Sequence, residues 1–99
     1  PRPTAIVAGG NQVLAGCIRA LQRNGIRIPD DMSLVTCDEV DLSALHTPPI
    51  AAVARDTLLL GRTAAELLLE RIGGGEPRTV LLPTTFTARP SCGPVPSGS

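Results

Sequence analysis

The sequence predicts an α/β fold, a mostly parallel sheet with flanking helices. Short apolar runs alternate with helical stripes, in the order strand, helix, strand, turn, strand, helix, strand, strand. The strand runs are continuously apolar rather than alternating, which is the pattern of strands covered on both faces. Each helical stripe stops at glycine, where a left-handed residue costs least. At 99 residues the chain is one domain at most, with a small core. Phe86 is the one aromatic residue, so the core must be built from Leu, Ile, Val and Ala.

The run "TAIVAGG" (4–10) reads as a buried strand closed by a turn. "NQVLAGCIRALQRNG" follows as a helix with Val13, Leu14, Cys17, Ile18 and Leu21 on one stripe. Asn11 stands at its N-cap and Gly25 just past its end. "MSLVTC" (32–37) is the second strand, and 38–49 is a loop with a turn of helix near Leu42–Leu45. "IAAVA" (50–54) is the third strand. The strongest helix starts at an Asp56 N-cap, shows Leu59, Leu60, Ala64, Leu67, Leu68 and Ile72 on a broad face, and ends at Gly73–Gly75. Segments 78–83 and 84–89 read as strands around Pro83, and the Pro/Gly/Ser-rich residues 90–99 as a loose, flexible tail. The chain opens without Met and almost directly in a strand, as expected of a piece of a longer protein.

Composition removes several classes of function. Nine basic residues balance nine acidic ones, whereas nucleic-acid phosphates call for a basic surface. Cys17, Cys37 and Cys92 are odd in number, with no CxxC and no His at metal-ligand spacing, so no metal or disulfide framework is expected. That usage suits the cytoplasm. No apolar run reaches membrane-spanning length and no signal peptide opens the chain. A nucleophile elbow, a His–acid pair and a P-loop or dinucleotide glycine motif are all missing. The chain is therefore expected to be no enzyme and to hold no cofactor.

In parallel sheets ligands gather beyond the carboxyl ends of the strands. That rim holds Gly9–Asn11, Cys37–Glu39 and Arg55–Thr57. Each polar residue there has a plain reading and a functional one. Asp38 either satisfies turn amides or holds a polyol or ammonium group. Glu39 is a solvated or supporting acid. Asn11 and Asp56 are helix caps that could also touch a ligand. Arg55 is either a surface ion-pair partner or a clamp for a carboxylate or phosphate. His46, the lone histidine, reads as a loop or interface residue.

A combination of motifs then carries a resemblance. "GIRIPDDMSLV" followed by two acids, "TPP", the "LG" helix, "GGEP" and "RPSCG" stand in one order along nearly the whole chain. Together they resemble the carboxyl-terminal subdomain of regulators of the LacI/GalR family. The resemblance implies most of one subdomain, residues 1–89, of a periplasmic-binding-protein-like type I fold. In that family two subdomains close on a small effector such as a sugar or nucleobase, and a helix-turn-helix outside this sequence reads DNA. The effector-contacting positions correspond to Asn11, Asp38, Arg55 and Asp56 here. Two positions depart from the family. Gly10 stands where an effector-contacting Asn is usual, and Cys37 where an aromatic is usual, so the rim has lost an amide and a stacking face. The first helix and the 41–50 loop correspond to a homodimer interface, with Leu14, Ile18, Leu42, Leu45 and His46 as its residues. The implied function is the effector-binding and dimerisation portion of a LacI-type transcriptional regulator. The alternative is part of a secreted sugar or solute-binding protein.

A chain holding part of such a fold should leave apolar surface open. Self-association is the expected outcome in size-exclusion chromatography with light scattering. A mass of one chain at high concentration contradicts it.

Overall fold

The computed structural model describes residues 2–96. Strand β1 (Ala5–Ala8) leads into helix α1 (Asn11–Arg23), strand β2 (Ser33–Cys37), the short helix α2 (Asp41–Leu45) and strand β3 (Ala51–Arg55). Helix α3 (Thr57–Ile72) and strand β4 (Thr84–Thr87) follow. The strands form one sheet in the order β1-β2-β3-β4. β1 pairs with β2 in parallel from Ala5↔Ser33 to Ala8↔Thr36, and β2 with β3 in parallel from Val35↔Ala51 to Cys37↔Val53. The predicted α/β class is observed.

The core gathers Ala8, Leu14, Ile18, Leu21, Met32, Leu34 and Ile50 between α1 and the sheet. It is aliphatic, as the composition required, and Phe86 stays 58% exposed. On α1 the buried stripe is Leu14, Ile18 and Leu21, while Val13 is 55% exposed. Residue burial does not follow the expectation of strands covered on both faces. In β1, Ala8 is buried but Val7 is 66% exposed.

The end of α1 follows from local chemistry. Gly25 adopts φ +66° and donates its amide to Gln22, and Ile26 donates to the Leu21 carbonyl at 2.9 Å. That left-handed hook satisfies two terminal carbonyls. α3 ends the same way, with Gly74 at φ +91° and the Gly75 amide on the Glu70 carbonyl at 2.8 Å. At its start the Asp56 carboxylate accepts from the Leu59 amide at 2.9 Å, so the predicted cap is present. At the start of α1 the expectation fails. Gly10 is the cap residue and makes no side-chain bond, and Asn11 is already helical and exposed.

One further expectation is corrected. Residues 78–83 carry no strand; only Thr84–Thr87 does. Pro83 has no N–H to give a ladder, and Val80 and Leu82 instead line a cavity of about 250 Å³ with Leu60, Ala64 and Leu67 of α3. The chain divides into two compact units, one of residues up to Ala54 with those from Phe86 onward, the other Arg55–Thr85. α3 buries none of its residues. The stretch expected to be a loose tail, 90–99, contains packed residues. Ser91 is fully buried, and Gly93 packs so closely on Pro29 that an added Cβ would lie 3.3 Å from its ring. The last part of that tail, 97–99, lies outside the described residues.

Ser91 is the fastening point. Its hydroxyl donates to the Leu34 carbonyl of β2 and accepts from the Ala51 amide of β3 at 2.8 Å. Its own carbonyl accepts from the Leu34 amide at 3.1 Å, and its amide donates to Pro49 at 3.2 Å. Ser91→Ala strips a partner from two buried backbone groups, each costing roughly 1–3 kcal/mol when left unsatisfied. The expected loss is about 2 kcal/mol in urea denaturation, with an unchanged slope.

Candidate functional site

The parallel register brings the carboxyl ends of β1 and β2 level. The chain leaves β1 through Gly9 and Gly10 into α1, and leaves β2 through Asp38 and Glu39. Asn11 and Asp38 therefore stand at the same edge of the first unit. Asn11 is exposed on the opening turn of α1 and Asp38 is half-buried. Arg55 and Asp56 belong to the second unit, where Arg55 closes β3 and borders the α3 cavity and Asp56 caps α3.

Asp38 has a left-handed backbone, φ +76°. Aspartate tolerates that region better than most residues, at roughly 1 kcal/mol. Its amide donates to the Val53 carbonyl at 2.7 Å, tying the end of β2 to β3. Asp38 thus leaves the strand in a sharp turn at the point where the sheet ends.

Glu39 has a different task. Its carboxylate meets Arg89 through both guanidinium Nη groups, Nη1 at 2.8 Å from Oε1 and Nη2 on Oε2. The Ser43 hydroxyl also donates to Oε1. Arg89 Nη1 reaches the Ile50 carbonyl at 2.9 Å as well. Two-point Arg–carboxylate contact combines charge with fixed geometry. The second acid of the pair is therefore a structural tie, which matches its reading as a supporting acid. Sequence reasoning missed Arg89 and Ser91, since their partners Glu39 and Leu34 lie 50 and 57 residues away, and it also missed Ser43, whose partner Glu39 lies four residues before it.

The residues assigned to a homodimer face divide. Leu14 and Ile18 are core, with 0% and 6% exposure, and offer a second copy no surface. A helix stripe cannot serve the core and an interface at once, and the sheet claims it here. Leu45 is 80% exposed, and Leu42 is half-buried against the core. His46 is half-buried, with Nδ1 2.8 Å from the Pro48 carbonyl oxygen. His46 and Pro48 border a cavity of about 250 Å³ shared with Leu21, Ile26 and Ile28. Among the described residues no cluster of His, Cys, Asp or Glu could hold a metal ion, and no helix is long and apolar enough to cross a membrane.

The sheet is parallel over β1–β3, and its polar residues stand at the strand ends, the rim where parallel sheets place ligands. Residues 1–92 match the periplasmic binding protein-like domain, and the chain belongs to that family, in the form carried by LacI/GalR-type regulators. It is 34% identical over 92 residues to the ribose operon repressor of Haemophilus influenzae, covering 91% of this chain and 28% of that protein. A solved LacI family transcriptional regulator from Bifidobacterium animalis subsp. lactis superposes with a TM-score of 0.79 at 31% identity, covering 96% of this chain and 35% of that one. The transcriptional regulator CelR in complex with cellobiose superposes with a TM-score of 0.78 at 32% identity, covering 89% of this chain and 28% of that one. The chain thus spans about a third or less of the length of these relatives.

The Arg89 and Ser43 contacts hold the Glu39 carboxyl below its ordinary range, Arg89 contributing most. A carboxylate whose folded pKa is depressed stabilises the fold above its unfolded value, about 4.3. That contribution disappears as pH falls through the folded pKa. Thermal midpoints measured from pH 7 down to pH 3 are expected to fall in the wild type. Glu39→Gln starts lower at pH 7 and declines less steeply, while Asp31 and Glu70, also held low by Arg27 and Arg78, keep a residual slope.

Proposed function

We propose that this chain forms part of the effector-binding and dimerisation module of a transcriptional repressor. The observation that carries the reading is Asp38. In a chain of this family it turns out of β2 in a left-handed conformation at the strand-end rim, where ligands of parallel sheets bind. Asn11 at the start of α1 supplies a further polar group to the same effector. Arg55 and Asp56, in the second unit, keep the effector-contacting roles that the family resemblance implies. The effector is a small polar molecule of the sugar type, the class to which the cellobiose held by the related CelR belongs. Gly10 and Cys37 replace an amide and an aromatic ring, so recognition here runs through hydrogen bonds rather than stacking.

The mechanism is a shift of populations. Effector binding favours one arrangement of the two halves of the cleft, and DNA affinity changes only as far as the effector discriminates between arrangements. DNA contact is made by a helix-turn-helix outside this sequence, in a cytoplasmic homodimer. Leu42, Leu45 and His46 remain as candidates for the dimer face, with Leu14 and Ile18 withdrawn to the core. The chain performs no catalysis in this reading.

The test uses the full-length regulator, its own upstream DNA and a panel of mono- and disaccharides. One sugar is expected to change operator affinity. Asp38→Asn removes a charge-assisted contact worth roughly 1.5–3 kcal/mol, so the sugar concentration needed should rise about 10- to 100-fold, with operator affinity in its absence unchanged. A sugar response that survives Asp38→Asn intact would refute the assignment.

A further inference from the structure

Asp38 holds a backbone conformation that a free aspartate seldom visits, so neighbouring structure must impose it. Its amide is fixed to Val53 of β3 at 2.7 Å. The next residue, Glu39, is fixed from the other side by the two-point contact with Arg89 and by the Ser43 hydroxyl. Arg89 also bonds the Ile50 carbonyl, one residue before β3 begins. The turn between β2 and α2 is thereby tied at both ends to the β3 segment. The Arg89 side chain is only 20% exposed, and Ser43 is fully buried, its hydroxyl accepting from the Val40 amide at 3.0 Å.

We propose that Arg89 is a positioning residue for the effector site, holding the left-handed turn at Asp38 through Glu39. It touches no effector. Its guanidinium spans Glu39 and Ile50, so losing it cuts the tie that runs from the turn through Glu39 to the β3 segment. The consequence for effector affinity rests on Asp38 being an effector contact. The control of the turn does not.

The experiment is nuclear magnetic resonance on the 15N,13C-labelled chain, comparing wild type with Arg89→Met, Arg89→Lys and Glu39→Gln. The readouts are the Asp38 13C shifts and three-bond HN–Hα coupling, which report φ, and exchange of its amide. In Arg89→Met the Asp38 signals are expected to move toward extended values and its amide to exchange at least about tenfold faster, with Leu14, Leu34 and Thr36 amides unchanged. Arg89→Lys keeps the charge but loses the fork, so it should restore part of the shift. Glu39→Gln should reproduce the Asp38 change. Wild-type values at Asp38 in both Arg89→Met and Glu39→Gln would overturn the proposal. So would a loss of the Leu34 and Thr36 signals in both variants, which would make the pair a general structural support. In the full-length regulator, a sugar response lost in proportion to the Asp38 change extends the proposal to the effector. Absence of any wild-type response to the sugars counts against the effector reading and leaves the Asp38 result standing.

Discussion

The hydroxyl of Ser91 sits where two parallel strands and the end of the described chain meet. It donates to β2, accepts from β3, and is closed off from solvent. Parallel strands need long crossovers, and short ones gain little from local contacts alone. A single side chain that satisfies one group on each strand fixes their spacing where the β2–β3 ladder begins. The Ser91 carbonyl on the Leu34 amide and the Gly93 amide on Ser33 Oγ extend that fastening toward the start of β2. The register that follows, Val35↔Ala51 to Cys37↔Val53, sets where β2 ends, and so where Asp38 turns.

At the rim the two adjacent acids divide their work. Asp38 takes the unusual backbone and turns at the edge of the sheet. Glu39 gives its charge to Arg89 and Ser43 and is held in its ionised form. A carboxylate with a bidentate arginine and a hydroxyl has most of its acceptor capacity used, so it is a poor candidate for a ligand contact. Adjacent acids with unequal environments can serve recognition and support at once.

The second compact unit differs in kind. Its helix is well made, with an Asp56 cap, a glycine hook and a Glu70–Arg78 pair at 2.8 Å, yet Leu58, Leu68, Leu69 and Ile72 remain 61–82% exposed. Local signals suffice to build a helix, while its stability in a protein comes from packing an apolar face. The apolar pattern of α3 therefore describes a helix made for burial, whereas the core of this chain is assembled from α1 and the sheet.

The sequence by itself determined whatever depends on neighbours a few residues apart. The strand–helix order, the Gly25 hook, the Asp56 cap and the aliphatic core all follow from spacing and composition, because one turn of backbone decides them. Local pattern also placed Asp38 at a strand end. The tertiary structure alone decided which residues hold that end in place. Arg89 ends a segment that reads as a strand and Ser91 lies in a stretch whose prolines and glycines read as loose, and only the folded chain brings them to Glu39 and Leu34, 50 and 57 residues away. It also decided that Leu14 and Ile18 face the sheet rather than a partner, and that 78–83 forms no strand. Periodicity shows that a face is apolar, but what that face meets is settled by packing across the whole chain.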